Sequence, residues 1–164
     1  MGAPARRGER TSAGAQPSQQ PSQQPSQQPG RAERLALAVD RQGGCCLWCG
    51  RSFGPLVRAT TDHLVPRVKG GPSWPENEVA ACSRCNGQRG HTTPADWYAE
   101  CRGRGWEPDA GALRAALDSL DAAVTARGGQ RRARPYLAAQ RRRLARAAPV
   151  DAPRGGAGWQ TPRP

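Results

Sequence analysis

Apolar residues recur at helical spacing in the last third of the chain. They stand three or four positions apart on one face of a helix over 109–127, at Leu113, Leu117, Leu120 and Val124. Two glycines at 128–129 follow, and glycine pairs commonly end helices. The pattern therefore predicts an amphipathic helix whose apolar face covers a small core.

Shorter patterns lie towards the N-terminus. Segment 31–41 carries three aliphatic residues and ends before two glycines, which predicts a short helix. Segment 57–65 is rich in β-branched residues and stops at Pro66, so it predicts a strand, and 78–81 predicts a second brief strand. Helices are expected from 83 and over 94–102, with Thr93 as the N-cap of the latter. The predicted fold is α+β: strand, loop, strand and helix, with further helices on either side.

The two ends of the chain lack such patterns. Residues 1–30 are dominated by Gly, Pro, Ser and Gln, and Pro-Ser-Gln-Gln occurs three times between positions 17 and 28. Segments of this composition bury too little apolar area to offset their ordering entropy. We therefore expect disordered tails at 1–30 and 149–164, a core at 31–104, and a helical extension with an arginine-rich segment at 105–148.

Composition narrows the class of partner. Hydrophobic residues make up 36% and aromatic residues 5% of the 164 residues, so the core is expected to be small and to need support such as a bound metal. The net charge of +12 and a pI near 11.0 favour a polyanion, nucleic acid first. No apolar stretch suggests a secretory signal or a membrane span, so a cytoplasmic protein with reduced thiols is expected.

Four of the six cysteines form two Cys-x-x-Cys pairs, Cys46 with Cys49 and Cys82 with Cys85. Four thiolates are the ligand set of a closed tetrahedral zinc site, so we predict a structural Zn²⁺. Pairing of Cys45 with Cys49 is an open alternative, although turn geometry favours Cys46. The isolated Cys101 is expected to be a buried thiol.

Between the two pairs lie residues suited to phosphodiester hydrolysis, which needs a base for water and stabilisation of phosphate charge and of the departing oxygen. His63 is one of two histidines, and an imidazole with an ordinary pKa is mostly neutral near pH 7. Asp62 precedes it and would face the other side of an extended strand. One side chain could therefore serve the water and the other a metal ion.

These residues stand in an ordered set of short motifs. The first is Asp62-His-Leu-Val-Pro-Arg-Val-Lys-Gly-Gly71, the second is Glu76-Asn77, and the third is Ala81-Cys-Ser-Arg-Cys-Asn86. Together, from 45 to about 97, they resemble the HNH endonuclease family in order, spacing and residue type. The resemblance implies the small ββα-metal fold, also called the His-Me finger, stapled here by zinc.

The resemblance also implies a role for each matching position. His63 would be the general base that activates water, and Asp62 would bind the catalytic divalent ion. Asn77 would use its side-chain amide to hold the backbone that carries the histidine. Asn86 occupies the third position of the family motif and would be the second metal ligand. Carboxylate and amide oxygens are hard ligands, so this ion is expected to be Mg²⁺ or Mn²⁺.

Basic residues are the expected contacts to nucleic acid. Four of them surround the motif, and a block from 131 to 146 holds seven arginines and no acidic residue. Such residues contact phosphates without reading sequence. The candidates are Arg67, Lys69, Arg84, Arg89, Arg141, Arg142 and Arg143.

The sequence thus predicts a metal-dependent HNH endonuclease that hydrolyses DNA phosphodiester bonds. The alternative is a zinc-knuckle protein that binds DNA, or acts as a scaffold, without catalysis. DNA rather than RNA, the target, nicking rather than double-strand cleavage, the oligomeric state and the pathway are left open.

Overall fold

The computed structural model describes residues 28–148 together with Gly2, so most of the two tails expected to be disordered lies outside the described residues. Five α-helices and two strands follow one another along this part of the chain. They are α1 Arg31–Arg41, β1 Ala59–His63, β2 Glu78–Cys82, α2 Ser83–Arg89, α3 Pro94–Gly103, α4 Ala110–Arg127 and α5 Ala133–Ala147. Two short 3₁₀ turns, Arg67–Lys69 and Pro75–Asn77, lie between the strands. The expected α+β class is confirmed.

The sheet is an antiparallel pair in which Ala59 lies opposite Cys82 and His63 lies opposite Glu78. Strand β1 is shorter than the 57–65 segment predicted, because Val57 closes a tight turn with Gly54 instead of joining the ladder. Alternation along β1 buries Asp62 on one face and leaves His63 partly exposed on the other. The expected separation of the two side chains is therefore confirmed.

A side chain completes the outer edge of β2. The amide of Gln42, just after α1, donates to the carbonyl of Ala80 and accepts from its N–H, both at 2.8 Å. The N–H of Leu47 donates to the same carbonyl at 3.2 Å. An isolated strand pair is only marginally stable in water. Pairing of the outer edge therefore helps to explain why two strands suffice here.

One continuous core joins the sheet to the helices that follow it. Trp48, Leu64 and Trp97 are fully buried in it beside the four predicted face residues of α4. Helix α4 packs against α5 and against the turn Pro75–Asn77. The helical extension thus contacts the turn that leads into β2, the strand that faces His63. Within residues 28–148, no helix is long and apolar enough to cross a membrane.

Candidate active site and metal centre

The two Cys-x-x-Cys pairs meet at one point. The sulfurs of Cys46, Cys49, Cys82 and Cys85 all lie within 4.8 Å of one another. Cys46 and Cys49 sit in a turn that ends at Gly50, whose φ of +69° is the left-handed conformation that glycine adopts readily. Cys82 is the N-cap of α2, and Cys85 lies in its first turn. Four clustered sulfurs fit the tetrahedral coordination of Zn²⁺.

Backbone N–H groups and one arginine support negative charge on these sulfurs. The N–H of Cys82 donates to Cys46 Sγ at 3.2 Å, and the N–H of Cys85 donates to Cys82 Sγ at 3.5 Å. Arg51 Nη2 approaches Cys82 Sγ at 3.4 Å. A hydrogen bond from the Cys85 thiol lowers the pKa of Cys46 to about 5. The same bond raises the pKa of Cys85, so Cys46 is the sulfur held most readily as a thiolate, the form that binds metal.

The other two cysteines stand apart from this cluster. Cys45 Sγ lies 3.6 Å from Ser52 Oγ and is outside the group of four. The geometry therefore favours Cys46 over Cys45 as the ligand. Cys101 is fully buried, as expected, and burial raises the pKa of its thiol to about 12.

A second site opens at the end of β1, some way along the strand from the cysteines. It is a cavity of about 200 Å³ that is open to solvent. Its lining contains three of the residues that the motif singled out, together with two of the expected phosphate contacts. The lining residues are Thr61, Asp62, His63, Pro66, Arg67, Asn86, Arg89 and Gly90.

Asn77 lies behind this cavity and is fully buried. Its Oδ1 accepts from the N–H of Val65 at 2.8 Å, and its Nδ2 donates to the carbonyls of Val65 and Pro72 at 3.0 and 2.8 Å. Gly71 is needed here, since a Cβ at that position would come within 1.8 Å of the Val65 carbonyl oxygen. The amide thereby ties both ends of the loop that follows His63.

Asp62 is buried in an ion pair. Its Oδ2 accepts from Trp48 Nε1 at 2.8 Å, and its Oδ1 is paired with Arg89 Nη1. Arg89 is itself only 2% exposed and lies over the ring of Trp48, 5.3 Å from the ring centroid. Burial raises the pKa of Asp62, and the Arg89 charge opposes this shift. The motif alone did not indicate this pairing.

Asn86 is more open. Its Nδ2 donates to Thr60 Oγ1 and to the carbonyl of Thr61, both at 3.1 Å, so the amide oxygen takes no part in these bonds. Amide and carboxylate oxygens at one cavity are the chemistry that Mg²⁺ or Mn²⁺ selects. The donor set therefore fits a divalent ion in type, but Asp62 would have to share its carboxylate with Arg89 or exchange one cation for the other.

His63 lies directly across the ladder from a buried carboxylate. Its Nε2 is 3.4 Å from Oε1 of Glu78, which is 1% exposed and bonded through Oε2 to Arg34 Nε at 2.9 Å. Burial lowers the pKa of His63, while the charges of Glu78 and Asp62 oppose the shift. The imidazole therefore tends towards its neutral, proton-accepting form.

Buried polar atoms without a hydrogen-bond partner concentrate around this cavity. Among the described residues there are seven such side-chain atoms, and five belong to four residues of this region. They are Thr61 Oγ1, His63 Nε2, Glu78 Oε1, Arg89 Nε and Arg89 Nη2. Because an unsatisfied buried polar group costs free energy, such a concentration is typical of a site that receives polar ligands.

The basic residues named in the sequence fall into two groups. Arg67 and Lys69 are exposed on the turn beside the cavity, and Arg84 is exposed on α2, 4.5 Å from the ring centroid of Trp106. On α5, Arg141 pairs with Asp118 and Asp121 at 2.7 and 2.6 Å.

The neighbours of Arg141 on α5 differ from each other. Arg143 pairs with Asp96 at 2.7 Å, whereas Arg142 is exposed and makes no ion pair within residues 28–148. The block that lacks acidic residues in sequence thus receives them from α3 and α4 in the fold. Its charge is partly neutralised.

With this geometry in view, residues 46–100 match the family model described as HNH endonuclease. Residues 46–100 belong to the HNH endonuclease family. The matched HNH segment contains both cysteine pairs, Asp62, His63, Asn77 and Asn86. It leaves out α1, α4 and α5, so Arg34 reaches Glu78 from outside the matched HNH segment.

Individual relatives are similar over the same region. The CRISPR-associated endonuclease Cas9 of Actinomyces naeslundii is 37% identical over 65 residues, which is 39% of this chain and 6% of that protein. The Cas9 of Corynebacterium diphtheriae is 39% identical over 61 residues, or 37% of this chain and 6% of that protein. The crystal structure of the Type II-C Cas9 enzyme from Actinomyces naeslundii aligns with a TM-score of 0.39 and 24% identity, covering 70% of this chain and 12% of that one.

Proposed function

We propose that this chain is a metal-dependent HNH endonuclease that hydrolyses DNA phosphodiester bonds, with the cysteine cluster holding a structural Zn²⁺. The observation that carries the proposal is the cavity in which His63, Asp62 and Asn86 of the HNH motif meet beside buried donors that lack partners. The net charge of +12 supports a polyanionic substrate.

His63 is the proposed general base. A neutral imidazole takes a proton from a water molecule, whose oxygen attacks phosphorus as the bond from phosphorus to the departing oxygen breaks. The lowered pKa of His63 keeps this imidazole neutral and able to accept the proton. Asn77 holds the loop after the strand, so that the base keeps its position during the reaction.

Asp62 and Asn86 are the residues that would hold Mg²⁺ or Mn²⁺. Such an ion would supply charge stabilisation for the phosphate and the departing oxygen. Arg89 is the proposed phosphate contact within the cavity, because its Nε and Nη2 have no partner there. Its unpaired nitrogens would donate to phosphate oxygens while Nη1 stays on Asp62.

One observation favours a second candidate function. The carboxylate expected to bind the divalent ion is already paired with Arg89, as it would be in a domain that retains the fold without catalysis. The alternative is therefore a zinc-knuckle protein that binds DNA or acts as a scaffold. The two functions share a fold and differ in turnover.

Plasmid nicking tests the proposal directly. The full chain supplied with Zn²⁺ should nick supercoiled DNA when Mg²⁺ or Mn²⁺ is added, and His63→Ala should lower the rate about 10²-fold to 10⁴-fold, as expected for a lost general base. His91→Ala is the matched control, since His91 is an exposed histidine outside the cavity. Equal cleavage by wild type and His63→Ala would refute the base, and DNA binding without cleavage by either would support the scaffold.

Salt dependence tests which arginines touch DNA. Arg142→Gln should reduce the slope of log affinity against log salt by about 1, because one phosphate contact is lost. Arg141→Gln should change it less, since Arg141 is occupied by Asp118 and Asp121. Equal changes in filter-binding titrations of the two variants would show that ion pairing on α5 does not decide contact.

A further inference from the structure

A buried carboxylate faces His63 from the second strand. Glu78 begins β2 and is the direct ladder partner of His63, so the two side chains project from the same face of the sheet. Its side chain is 1% exposed. A carboxylate buried to this degree needs compensating partners, because removal from water penalises its charge.

One compensating partner comes from α1. Arg34 Nε donates to Glu78 Oε2 at 2.9 Å, and Arg41 Nη2 donates to the backbone carbonyl of Glu78 at 2.8 Å. Both arginines precede the HNH segment 46–100. Helix α1 therefore fixes Glu78 in place without itself reaching the cavity.

The other oxygen of Glu78 remains without a donor. Glu78 Oε1 and His63 Nε2 both lack a hydrogen-bond partner, and they lie 3.4 Å apart. This distance is slightly longer than an N–H to oxygen bond of about 2.7 to 3.2 Å, and catalytic hydrogen bonds often tighten when substrate binds. A small rotation of either side chain would satisfy both atoms at once.

We propose that Glu78, fixed by Arg34, is the positioning residue of His63: it accepts the Nε2 proton of the imidazole and so leaves Nδ1 as the nitrogen that takes the proton from water. This inference rests on the proposed nuclease function for its catalytic consequence. The hydrogen bond selects one tautomer and one ring orientation of the base, as carboxylates paired with histidines do in other hydrolases. Helix α1 then belongs to the working active site, although it lies outside the HNH segment.

Nuclear magnetic resonance tests the hydrogen bond without any need for activity. The full chain supplied with Zn²⁺ is measured at a pH well above about 6.5, where an ordinary imidazole is neutral. A ring proton on His63 Nε2 should be protected from water and give a resolved signal. The nitrogen chemical shift of Nδ1 should be that of an unprotonated ring nitrogen. His91 is an exposed histidine, so its ring proton should exchange too fast to be seen, and His63→Gln assigns the signal.

Three variants separate positioning from general stability. Glu78→Leu removes the acceptor and should abolish the signal, whereas Glu78→Gln keeps an oxygen at the same place and should retain a weaker one. In nicking assays Glu78→Leu should lower kcat at least about tenfold with little change in KM, and Glu78→Gln should fall in between. Glu76→Gln is the matched control. Its kcat should stay within about twofold of the wild type, since the change breaks only a solvent-accessible ion pair with Arg127.

Two results would overturn the positioning role. One is a neutral wild-type His63 protonated on Nδ1, a result that decides the matter even if Glu78→Leu does not fold. The other is a signal and a kcat that are unchanged in a folded Glu78→Leu, which has no acceptor at this position. Absence of nicking by the wild type would count against the proposed function instead. In that case the ring-proton signal still decides whether Glu78 holds His63.

Discussion

The cysteine cluster and the cavity at His63 both take residues from α2, yet they differ in how far their polar groups have hydrogen-bond partners. In the cluster, four sulfurs lie within 4.8 Å of one another, and two of them, those of Cys46 and Cys82, accept backbone N–H bonds. At the cavity, three buried atoms of Thr61 and Arg89 have no partner, and two more, on His63 and Glu78, face each other at 3.4 Å. One site is complete in its protein ligands, and the other leaves room for ligands from outside.

This difference corresponds to the one between structural and catalytic metal sites in proteins. A structural site encloses its ion with protein ligands, whereas a catalytic site keeps positions open for water and substrate. Asp62 extends the contrast, because its carboxylate already holds a protein cation, Arg89. Removing metal from the first site should therefore cost the fold, while changes to the partly exposed His63 of the second should cost chemistry first.

The largest effect is expected at the cluster. Replacing Cys82 and Cys85 together by serine should remove the zinc and unfold the chain, since structural Zn²⁺ in small domains contributes about 10 to 16 kcal/mol of folding free energy. Metal analysis together with circular dichroism checks both parts of this expectation. Cys101→Ala is the control, because it removes a buried sulfur outside the cluster and should leave the zinc in place. A folded double variant without metal would contradict the structural role of the cysteine cluster.

Sequence reasoning succeeded where the relevant contacts are local or carried by a motif. The two Cys-x-x-Cys turns are recognisable from their spacing, and the β-branched and apolar patterns predicted both strands and the helices close to their observed bounds. The position of Asn77 behind the loop from Val65 to Pro72 also agrees with what the HNH resemblance implied for it. Its catalytic assignment, like that of His63, Asp62 and Asn86, stays a prediction until activity is measured.

Ion pairs between residues that are distant in the chain could not be predicted from the sequence. Arg89 and Asp62 are separated by 27 positions, and Arg34 and Glu78 by 44. No periodicity records such pairs, because they depend on how helices pack against the sheet.

Arg141 illustrates the same limit on the surface. Its acidic partners are 20 and 23 positions upstream on α4, so a block that reads as purely cationic is partly neutral in the fold.

The second prediction concerns the ion pair at the cavity. Arg89→Met should destabilise the chain by about 3 to 5 kcal/mol, because it leaves the Asp62 carboxylate buried without its cation. Mg²⁺ or Mn²⁺ should then raise the melting temperature of the variant more than that of the wild type, since the ion can replace the lost charge. Thermal unfolding with and without each ion measures both effects.

The control for this variant is Arg141→Met. It breaks two ion pairs whose side chains are about half exposed, so it should cost no more than about 1 kcal/mol and gain nothing extra from the ion. Equal stabilisation of wild type and Arg89→Met by Mn²⁺ would show that Arg89 and the metal do not compete for Asp62. The catalytic ion would then have to be held without that carboxylate.

The smallest expected effect distinguishes the two adjacent cysteines at the entrance to the cluster. Cys45→Ser should leave zinc content unchanged and alter stability by no more than about 0.5 kcal/mol, because its sulfur contacts only Ser52 among the hydrogen-bonding groups described. Cys46→Ser should lose zinc, since Cys46 is fully buried among the other three sulfurs and accepts the N–H of Cys82. Zinc loss from Cys45→Ser would mean that the two neighbours exchange roles when metal binds. The set of four sulfur ligands would then be completed only when metal binds, and the cluster would differ less from the cavity.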